Sequence, residues 1–221
     1  MATTRGLVKD VNEDRIGFAK FGSSTLKFVV ADSHWGEEAA VLVMRVWASS
    51  RKLISNRAEA VSFALKIQSM IYKKFGHCEM DEEKDRTSES SYVAAEIKQD
   101  RLILHSYGDS LAFLVRNGHI IHEQQVEKTW LGAFSFLGLR ARMPVLSATK
   151  FDQIKLERGD VLLLMTDGVT ECKYETPVIS KDEIAKLCSL KPEVIVKKLM
   201  QLVFDNGAED NASLIVFKVG G

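Results

Sequence analysis

The sequence predicts an α+β protein built on antiparallel sheets. Strand-like segments follow one another through short turns, which is typical of hairpins and unlike the long crossovers of parallel sheets. The strongest hairpin signal is Asn117-Gly118, because both residues tolerate the positive φ angles of a type I′ turn. Two consecutive helices are predicted early in the chain and two late, so the helices do not alternate singly with strands.

The first third of the chain changes from strand to helix periodicity. Strand patterns at 15–21 and 25–32 are separated by Gly-Ser-Ser, so these two segments are predicted to pair as a hairpin. From Glu37 onward the apolar residues recur at helical spacing. Asn56 followed by Glu59 resembles a capping box, which predicts that a second helix begins there.

The remaining chain is predicted to contain mainly strands, followed by two helices and a last strand. Residues 78–90 are polar and densely charged, and we expect an exposed loop there. Ser180 and Glu183 indicate one helix start, Pro192 suits the first turn of another, and Gly207 can end it. The predicted strands are SYVAAEI, RLILHSYG, LAFLV, HIIHE, TKFDQIKL, DVLLLMT and ASLIVFKV.

Length, charge and cysteine content exclude several classes of protein. A chain of 221 residues fits one domain, residues 1–221. Thirty basic and thirty acidic residues balance, so neither nucleic acid nor an anionic membrane is an expected partner. The three cysteines, Cys78, Cys172 and Cys188, argue against a disulfide framework. Because neither a signal peptide nor a long apolar span is visible, we expect a cytoplasmic protein.

Carboxylates recur where strand patterns begin or end. Asp32 and Asp167 each end an apolar run, whereas Asp210 and the pair Glu13-Asp14 directly precede one. In antiparallel neighbours, the end of one strand and the beginning of the next lie at the same edge of the sheet. These side chains could therefore converge, although each one taken alone is also an ordinary turn residue.

Convergence would have a specific chemical meaning. Clustered carboxylates at the rim of a core repel one another and raise one another's pKa. Divalent cations remove that cost, and oxygen-only ligands favour Mg²⁺ or Mn²⁺. Two such ions about 3.5–4 Å apart can lower the pKa of a shared water and stabilise displacement at phosphorus.

Five motifs in order resemble those of the protein phosphatase 2C family, the metal-dependent serine/threonine phosphatases. The motifs are NEDRIGF, FVVADSHWGEEAA, HSYGDSLAFLVRNG, LERGDVLLLMTDGVTE and EDNASLIVFKV. The resemblance extends over nearly the whole chain, from about Gly6 to Val219. It implies an antiparallel β-sandwich flanked by pairs of helices, in four layers of the order α-β-β-α.

The resemblance also implies a dimetal centre in a cleft at one end of the sandwich. Asp32 would bridge two Mn²⁺ or Mg²⁺ ions, and Asp109 would help to bind a third ion, as in bacterial members. The alternative for Asp109 is a plain turn residue. The implied metal ligands are Glu13, Asp14, Asp32, the backbone carbonyl of Ser33, Asp109, Asp167 and Asp210.

Two further side chains receive catalytic roles from the resemblance. His34 follows the bridging Asp32, where some members carry a histidine proposed as general acid, although a lone histidine can equally be structural. Lys9 stands where the family has a phosphate-holding arginine, and lysine lacks the two-pronged guanidinium. Ser33 and Trp35 replace usual glycines, and the indole either narrows the cleft mouth or offers a stacking surface.

The expected function is therefore hydrolysis of phosphoserine and phosphothreonine in proteins by direct attack of a dimetal-bound hydroxide. The expected partner is a phosphorylated protein from a serine/threonine kinase pathway, and we expect a monomer. One alternative is a catalytically weak or inactive phosphatase-fold module that regulates or binds phosphoproteins. Another is a phosphatase dedicated to one signalling protein, such as an anti-sigma antagonist.

Overall fold

Two antiparallel sheets and four helices make up the computed structural model. It describes residues 1–22, 25–75, 88–124, 128–132, 144–173 and 178–220. The strands in these ranges are β1 (Ala2–Thr4), β2 (Arg15–Phe21), β3 (Thr25–His34), β4 (Glu89–Lys98), β5 (Arg101–Tyr107), β6 (Leu111–Arg116), β7 (His119–Gln124), β8 (Thr149–Lys155), β9 (Val161–Met165) and β10 (Ala212–Lys218). The helices are α1 (Glu38–Ser49), α2 (Arg57–Phe75), α3 (Lys181–Leu187) and α4 (Pro192–Asp205).

The strands form two five-stranded sheets. One sheet has the order β1-β10-β9-β6-β7 and the other the order β2-β3-β4-β5-β8. All neighbouring strands are antiparallel, and β2 and β3 form the predicted hairpin with Arg15 opposite Ala31. The antiparallel α+β class is thus confirmed.

The apolar residues separate into three clusters that correspond to three layer boundaries. Neighbouring residues of a strand point to opposite faces, and Val29 accordingly packs with α1 and α2 whereas Val30 packs between the two sheets. The helices α3 and α4 cover the outer face of the other sheet, with Leu163 and Leu199 in one cluster. This arrangement is the four-layer α-β-β-α sandwich that the resemblance implied.

The two helix starts predicted from a capping pattern, at Asn56 and Ser180, both have side-chain caps. Ser180 and Glu183 form a complete capping box at the start of α3. Before α2, the amide of Glu59 donates to Oδ1 of Asn56, as expected. The Glu59 carboxylate, however, accepts from the amide of Ser55 rather than from that of Asn56, so the return bond is displaced by one residue.

Three strand boundaries differ from the prediction. The prediction of a loop at 78–90 is wrong at Glu89 and Ser90, which begin β4. These two residues pair with His34 and Ser33 at the end of β3. The same pairing extends β3 two residues beyond Asp32. The rest of that loop, apart from residue 88, lies outside the described residues, as does Cys78. Strand β1 was not predicted, because three residues carry too little periodicity to be recognised.

Helix length and hydropathy also bear on the membrane prediction. None of the helices in the described ranges is both long enough and apolar enough to cross a bilayer. The cytoplasmic location stays a prediction.

Candidate metal centre

The predicted acidic residues come from both sheets and face one another across one end of the sandwich. Asp14 precedes β2, Asp32 lies in β3, and Asp167 follows β9. The hydroxyl of Thr166 joins the sheets, because it donates to Oδ2 of Asp14 at 3.1 Å and accepts from the amide of Ser213 at 3.0 Å. The sandwich therefore brings carboxylates from distant parts of the chain to one place.

Three of these carboxylates are buried with little hydrogen bonding. Asp14, Asp32 and Asp109 expose 2%, 5% and 1% of their surface. Oδ1 of Asp14, Oδ2 of Asp32 and both carboxylate oxygens of Asp109 have no hydrogen-bond partner. A buried carboxylate without a partner is costly, so these four oxygens mark a site that the protein alone does not complete.

Burial and mutual repulsion raise the pKa of Asp14, Asp32 and Asp167. Burial raises the pKa of Asp14 to about 7 and that of Asp167 to about 8. The pKa of Asp32 lies well above its ordinary value because of burial and the negative charges of Asp167, Asp14, Asp109 and Asp210. The neighbours of Asp32 are thus the residues that the sequence indicated.

Glu13 and Asp210 lie at the same site but accept hydrogen bonds from within the protein. The amide of Gly36 donates to Oε1 of Glu13. Oδ1 of Asp210 accepts from the amide of Asn211 at 2.7 Å and lies 3.1 Å from Nζ of Lys9. Lys9, expected to hold phosphate, therefore forms an ion pair with an expected metal ligand.

Asn211 and Gly168 hold the surrounding loops in place. The Asn211 side chain accepts from the amide of Glu13 and donates to the carbonyls of Arg5 and Val11. At Gly168 an added Cβ would lie 2.0 Å from the carbonyl oxygen of Asn211, so no side chain fits there. The segments that carry Glu13, Asp167 and Asp210 are therefore packed directly against one another.

Ser33 and His34 differ in their surroundings. Ser33 is buried, and its hydroxyl oxygen accepts from the amide of Ala40 in the first turn of α1. The His34 ring makes an edge-on contact with Trp130 at a centroid distance of 5.0 Å, and its Nδ1 lies 3.9 Å from Oε1 of Glu89. Burial lowers the pKa of His34, which favours the neutral imidazole.

A cavity of about 230 Å³ opens beside the carboxylates. Trp35, at its mouth, is 52% exposed and adopts a left-handed backbone conformation with φ 61°. Nζ of Lys128 lies 3.1 Å from Oε2 of Glu171 on the wall. The cavity is lined by His34, Trp35, Glu89, Lys128, Trp130, Asp167, Glu171 and Asp210.

The donor set fits a hard divalent cation, although the side chains are not closed around one. The available ligand atoms are carboxylate oxygens, and several lack a partner, as a site for Mg²⁺ or Mn²⁺ requires. In the part of the chain that the structure describes, no three His, Cys, Asp or Glu side chains form a group that could hold a metal ion. Binding of a metal ion would therefore require these side chains to rotate toward it. Without a cation, repulsion among the carboxylates keeps them apart.

Sequence reasoning missed Thr166, Asn211 and Trp130 as parts of this site. Thr166 and Asn211 directly adjoin predicted ligands, so their positions next to Asp167 and Asp210 were available signals. Nothing in the sequence placed Trp130 against His34, since that contact depends on the tertiary fold.

Comparison with known proteins agrees with this architecture. The family model Stage II sporulation protein E (SpoIIE) matches residues 23–220. No curated protein matches. Among solved structures, a bacterial serine phosphatase has a TM-score of 0.75 and 19% identity, covering 100% of this chain and 96% of its own.

Two further structures show the same similarity. The serine/threonine phosphatase of S. agalactiae has a TM-score of 0.73 and 18% identity, covering 98% of this chain and 97% of its own. The catalytic domain of the serine/threonine phosphatase PstP, in complex with two manganese ions, has a TM-score of 0.68 and 20% identity, with coverages of 99% and 96%. On the family match and the shared four-layer architecture, this chain belongs to the SpoIIE family and has the protein phosphatase 2C-like fold.

Proposed function

We propose that the chain, as a single domain over residues 1–221, is a metal-dependent protein phosphatase acting on phosphoserine and phosphothreonine. The observation that carries this proposal is the group of buried carboxylates with unpartnered oxygens beside an open cavity. Membership of the SpoIIE family and the likeness to bacterial serine/threonine phosphatases support it.

The proposed cofactors are two Mn²⁺ or Mg²⁺ ions, with a third at Asp109. The manganese ions in the PstP structure support this choice of metal. When bound, such ions act as Lewis acids toward phosphate oxygens and lower the pKa of a coordinated water. The residues proposed to hold them are Glu13, Asp14, Asp32, the carbonyl of Ser33, Asp109, Asp167 and Asp210.

The chain's own residues would position the substrate and move a proton. Lys9 supplies one positive charge for the phosphate, without the two-pronged geometry of arginine. His34 lines the cavity and is proposed to protonate the serine or threonine oxygen as it leaves. This role needs the imidazolium form, which is the minor form at neutral pH because burial lowers the pKa of His34. Trp35 and Trp130 both line the cavity and offer aromatic surface to a substrate.

Two observations favour a second function, a weakly active or inactive module that binds phosphoproteins. Trp35 stands at the cavity mouth, and Lys9 is engaged by Asp210 instead of lying free for phosphate. A phosphatase dedicated to one signalling protein is the narrower version of the main proposal. In each case the proposed partner is a phosphorylated protein of a kinase pathway.

Turnover of p-nitrophenyl phosphate and of a phosphoserine peptide tests the proposal. We expect activity with MnCl₂ and none with EDTA. Asp32→Asn and Asp167→Asn should each lose more than about a hundredfold in turnover, because mutation of residues that only orient a metal ligand already lowers activity by up to that factor. Asp182→Asn, an exposed change in α3, is the control and should keep full activity.

The two functions give different outcomes in this assay. If the metal-loaded protein binds the phosphopeptide without hydrolysing it, the module is supported and the enzyme is rejected. If EDTA leaves turnover intact, the chain is not a metal-dependent phosphatase.

A further inference from the structure

The Lys9 ammonium group lies among the carboxylates that we propose as metal ligands. Its Nζ is 3.1 Å from Oδ1 of Asp210, and the two side chains are only 31% and 20% exposed. Burial alone would lower the pKa of Lys9, but the charges of Asp210, Glu13 and Asp32 raise it above its ordinary value. Lys9 is therefore a cation beside the acidic site, in direct contact with Asp210.

Asp210 differs from the other carboxylates in its bonding. Its Oδ1 receives both the Asn211 amide and Lys9, whereas Oδ1 of Asp14 and Oδ2 of Asp32 receive no donor. The ammonium group of Lys9 thus pairs directly with Asp210, whereas Oδ1 of Asp14 and Oδ2 of Asp32 stay without a partner. Lys9 compensates only part of the negative charge at the site.

The loop that carries Lys9 is fixed on both sides of it, and within the loop the amide of Leu7 also donates to the carbonyl of Ala208. The side chain of Asn211 donates to the carbonyls of Arg5 and Val11. Lys9 lies between these two attachments and belongs to no helix or strand. Because its side chain has four rotatable bonds, the ammonium group can leave Asp210 without displacement of the loop.

We propose that Lys9 is an exchangeable counter-cation, which binds Asp210 in the metal-free protein and is released when divalent cations bind. A monovalent and a divalent cation compete for the same carboxylate oxygen, because each repels the other at that distance. The released ammonium group then becomes available to a substrate phosphate. This inference rests on the proposed metal centre and makes Lys9 a positioning residue that links metal loading to phosphate binding.

Titration of the metal-free protein with MnCl₂ alone, followed by calorimetry, tests this competition. We expect Lys9→Met to bind Mn²⁺ roughly fivefold more tightly than the wild type, since removal of a nearby positive charge favours a divalent ion. Lys20→Met is the matched control, because it removes the same charge from an exposed position far along β2. The control should bind as the wild type does.

Thermal unfolding gives a second measurement that does not depend on activity. In EDTA, Lys9→Met should melt below the wild type, because Asp210 loses the cation with which it forms an ion pair. With Mn²⁺ the melting temperature of the variant should rise by more than that of the wild type, as tighter binding requires. Lys9→Arg retains the charge and should resemble the wild type in both measurements.

Each outcome separates this inference from the proposed function. If the wild type binds Mn²⁺ and Lys9→Met binds it equally or less tightly, the inference is overturned while the metal centre stands. If the wild type binds no Mn²⁺, the proposed function fails as well. Should Lys9→Met not fold, an affinity of Lys9→Gln no tighter than that of Lys9→Arg would overturn the inference.

Discussion

Two groups of buried charges in this molecule are completed to different degrees. Lys27 and Glu96 are each about 1% exposed, and their ion pair measures 2.7 Å from Nζ to Oε1. Nζ of Lys27 also donates to the carbonyl of Ser50, and Oε2 of Glu96 accepts from the amide of Ile54. At the candidate metal centre, by contrast, Asp14, Asp32 and Asp109 keep oxygens without partners.

The difference separates structural from functional burial of charge. The Lys27–Glu96 pair holds the connection between α1 and α2 against β3 and β4, and every charged atom there has a partner within the protein. Asp14, Asp32 and Asp109 are similarly buried, but their unpartnered oxygens receive no cation from the described residues, and we propose that a cation from outside the protein completes them. Several unpartnered oxygens of like charge at one place, more than burial itself, favour a functional site here, since single unpartnered atoms such as the Tyr92 hydroxyl also occur in the core.

Breaking the completed pair should have the largest effect on stability. Lys27→Met leaves the Glu96 carboxylate buried without its cation, and we expect the free energy of unfolding to fall by about 3–5 kcal/mol. Urea unfolding of the metal-free protein measures it. The double variant Lys27→Met/Glu96→Leu removes both charges and should recover much of the loss, and an equal loss in the double variant would refute this explanation.

A second effect should be a dependence of stability on pH, which we expect from the carboxylates of the candidate metal centre and not from the Lys27–Glu96 pair. Because Asp14 and Asp167 have folded-state pKa values of about 7 and about 8, the folded protein holds more protons than the unfolded chain between about pH 4 and pH 8. Stability in EDTA should therefore fall as the pH rises through this range, by roughly several kcal/mol, because each unit of pKa shift corresponds to about 1.36 kcal/mol.

Two comparisons check whether the carboxylates cause the slope of stability against pH. Saturating Mn²⁺ should flatten it, since a bound cation holds the carboxylates ionised in the folded state. Asp32→Asn, which removes one charge from the group, should reduce it. A slope of the opposite sign in EDTA would contradict the assignment of these carboxylates as uncompensated.

An exposed ion pair should have the smallest effect of the three. Nζ of Lys181 lies 2.6 Å from Oε1 of Glu123, but the two side chains are 56% and 32% exposed. Lys181→Ala should change the free energy of unfolding by about 0.5 kcal/mol or less, because water and salt screen such pairs. A loss comparable to that of Lys27→Met would mean that burial does not determine how much an ion pair contributes to the free energy of unfolding in this fold.

Much of the fold was predictable because its signals are local. The hairpin at Asn117-Gly118 and the capping box at Ser180 each depend on a few adjacent residues, and both were found as expected. Strand β1 and the first residues of β4 were missed, since they depend on pairing with strands far away in sequence. In three residues, or in a polar segment, tertiary pairing overrides the weak local pattern.

The candidate site was predictable to a similar extent. Acidic residues at strand ends were visible as a pattern, and antiparallel pairing explains why they meet. The ion pair between Lys9 and Asp210 was not visible, because it joins two loops about two hundred residues apart and depends on side-chain rotamers. Trp130 was missed for the same reason.

The Asn211 side chain has a consequence for chain synthesis. Its amide and carbonyl bind backbone groups of residues 5–13, so the N-terminal loop takes its final place only when residue 211 has been made. Such long loop closures are slow and costly in entropy. A nascent chain that lacks its last strand can form the β2–β3 hairpin, but it cannot complete the cation site.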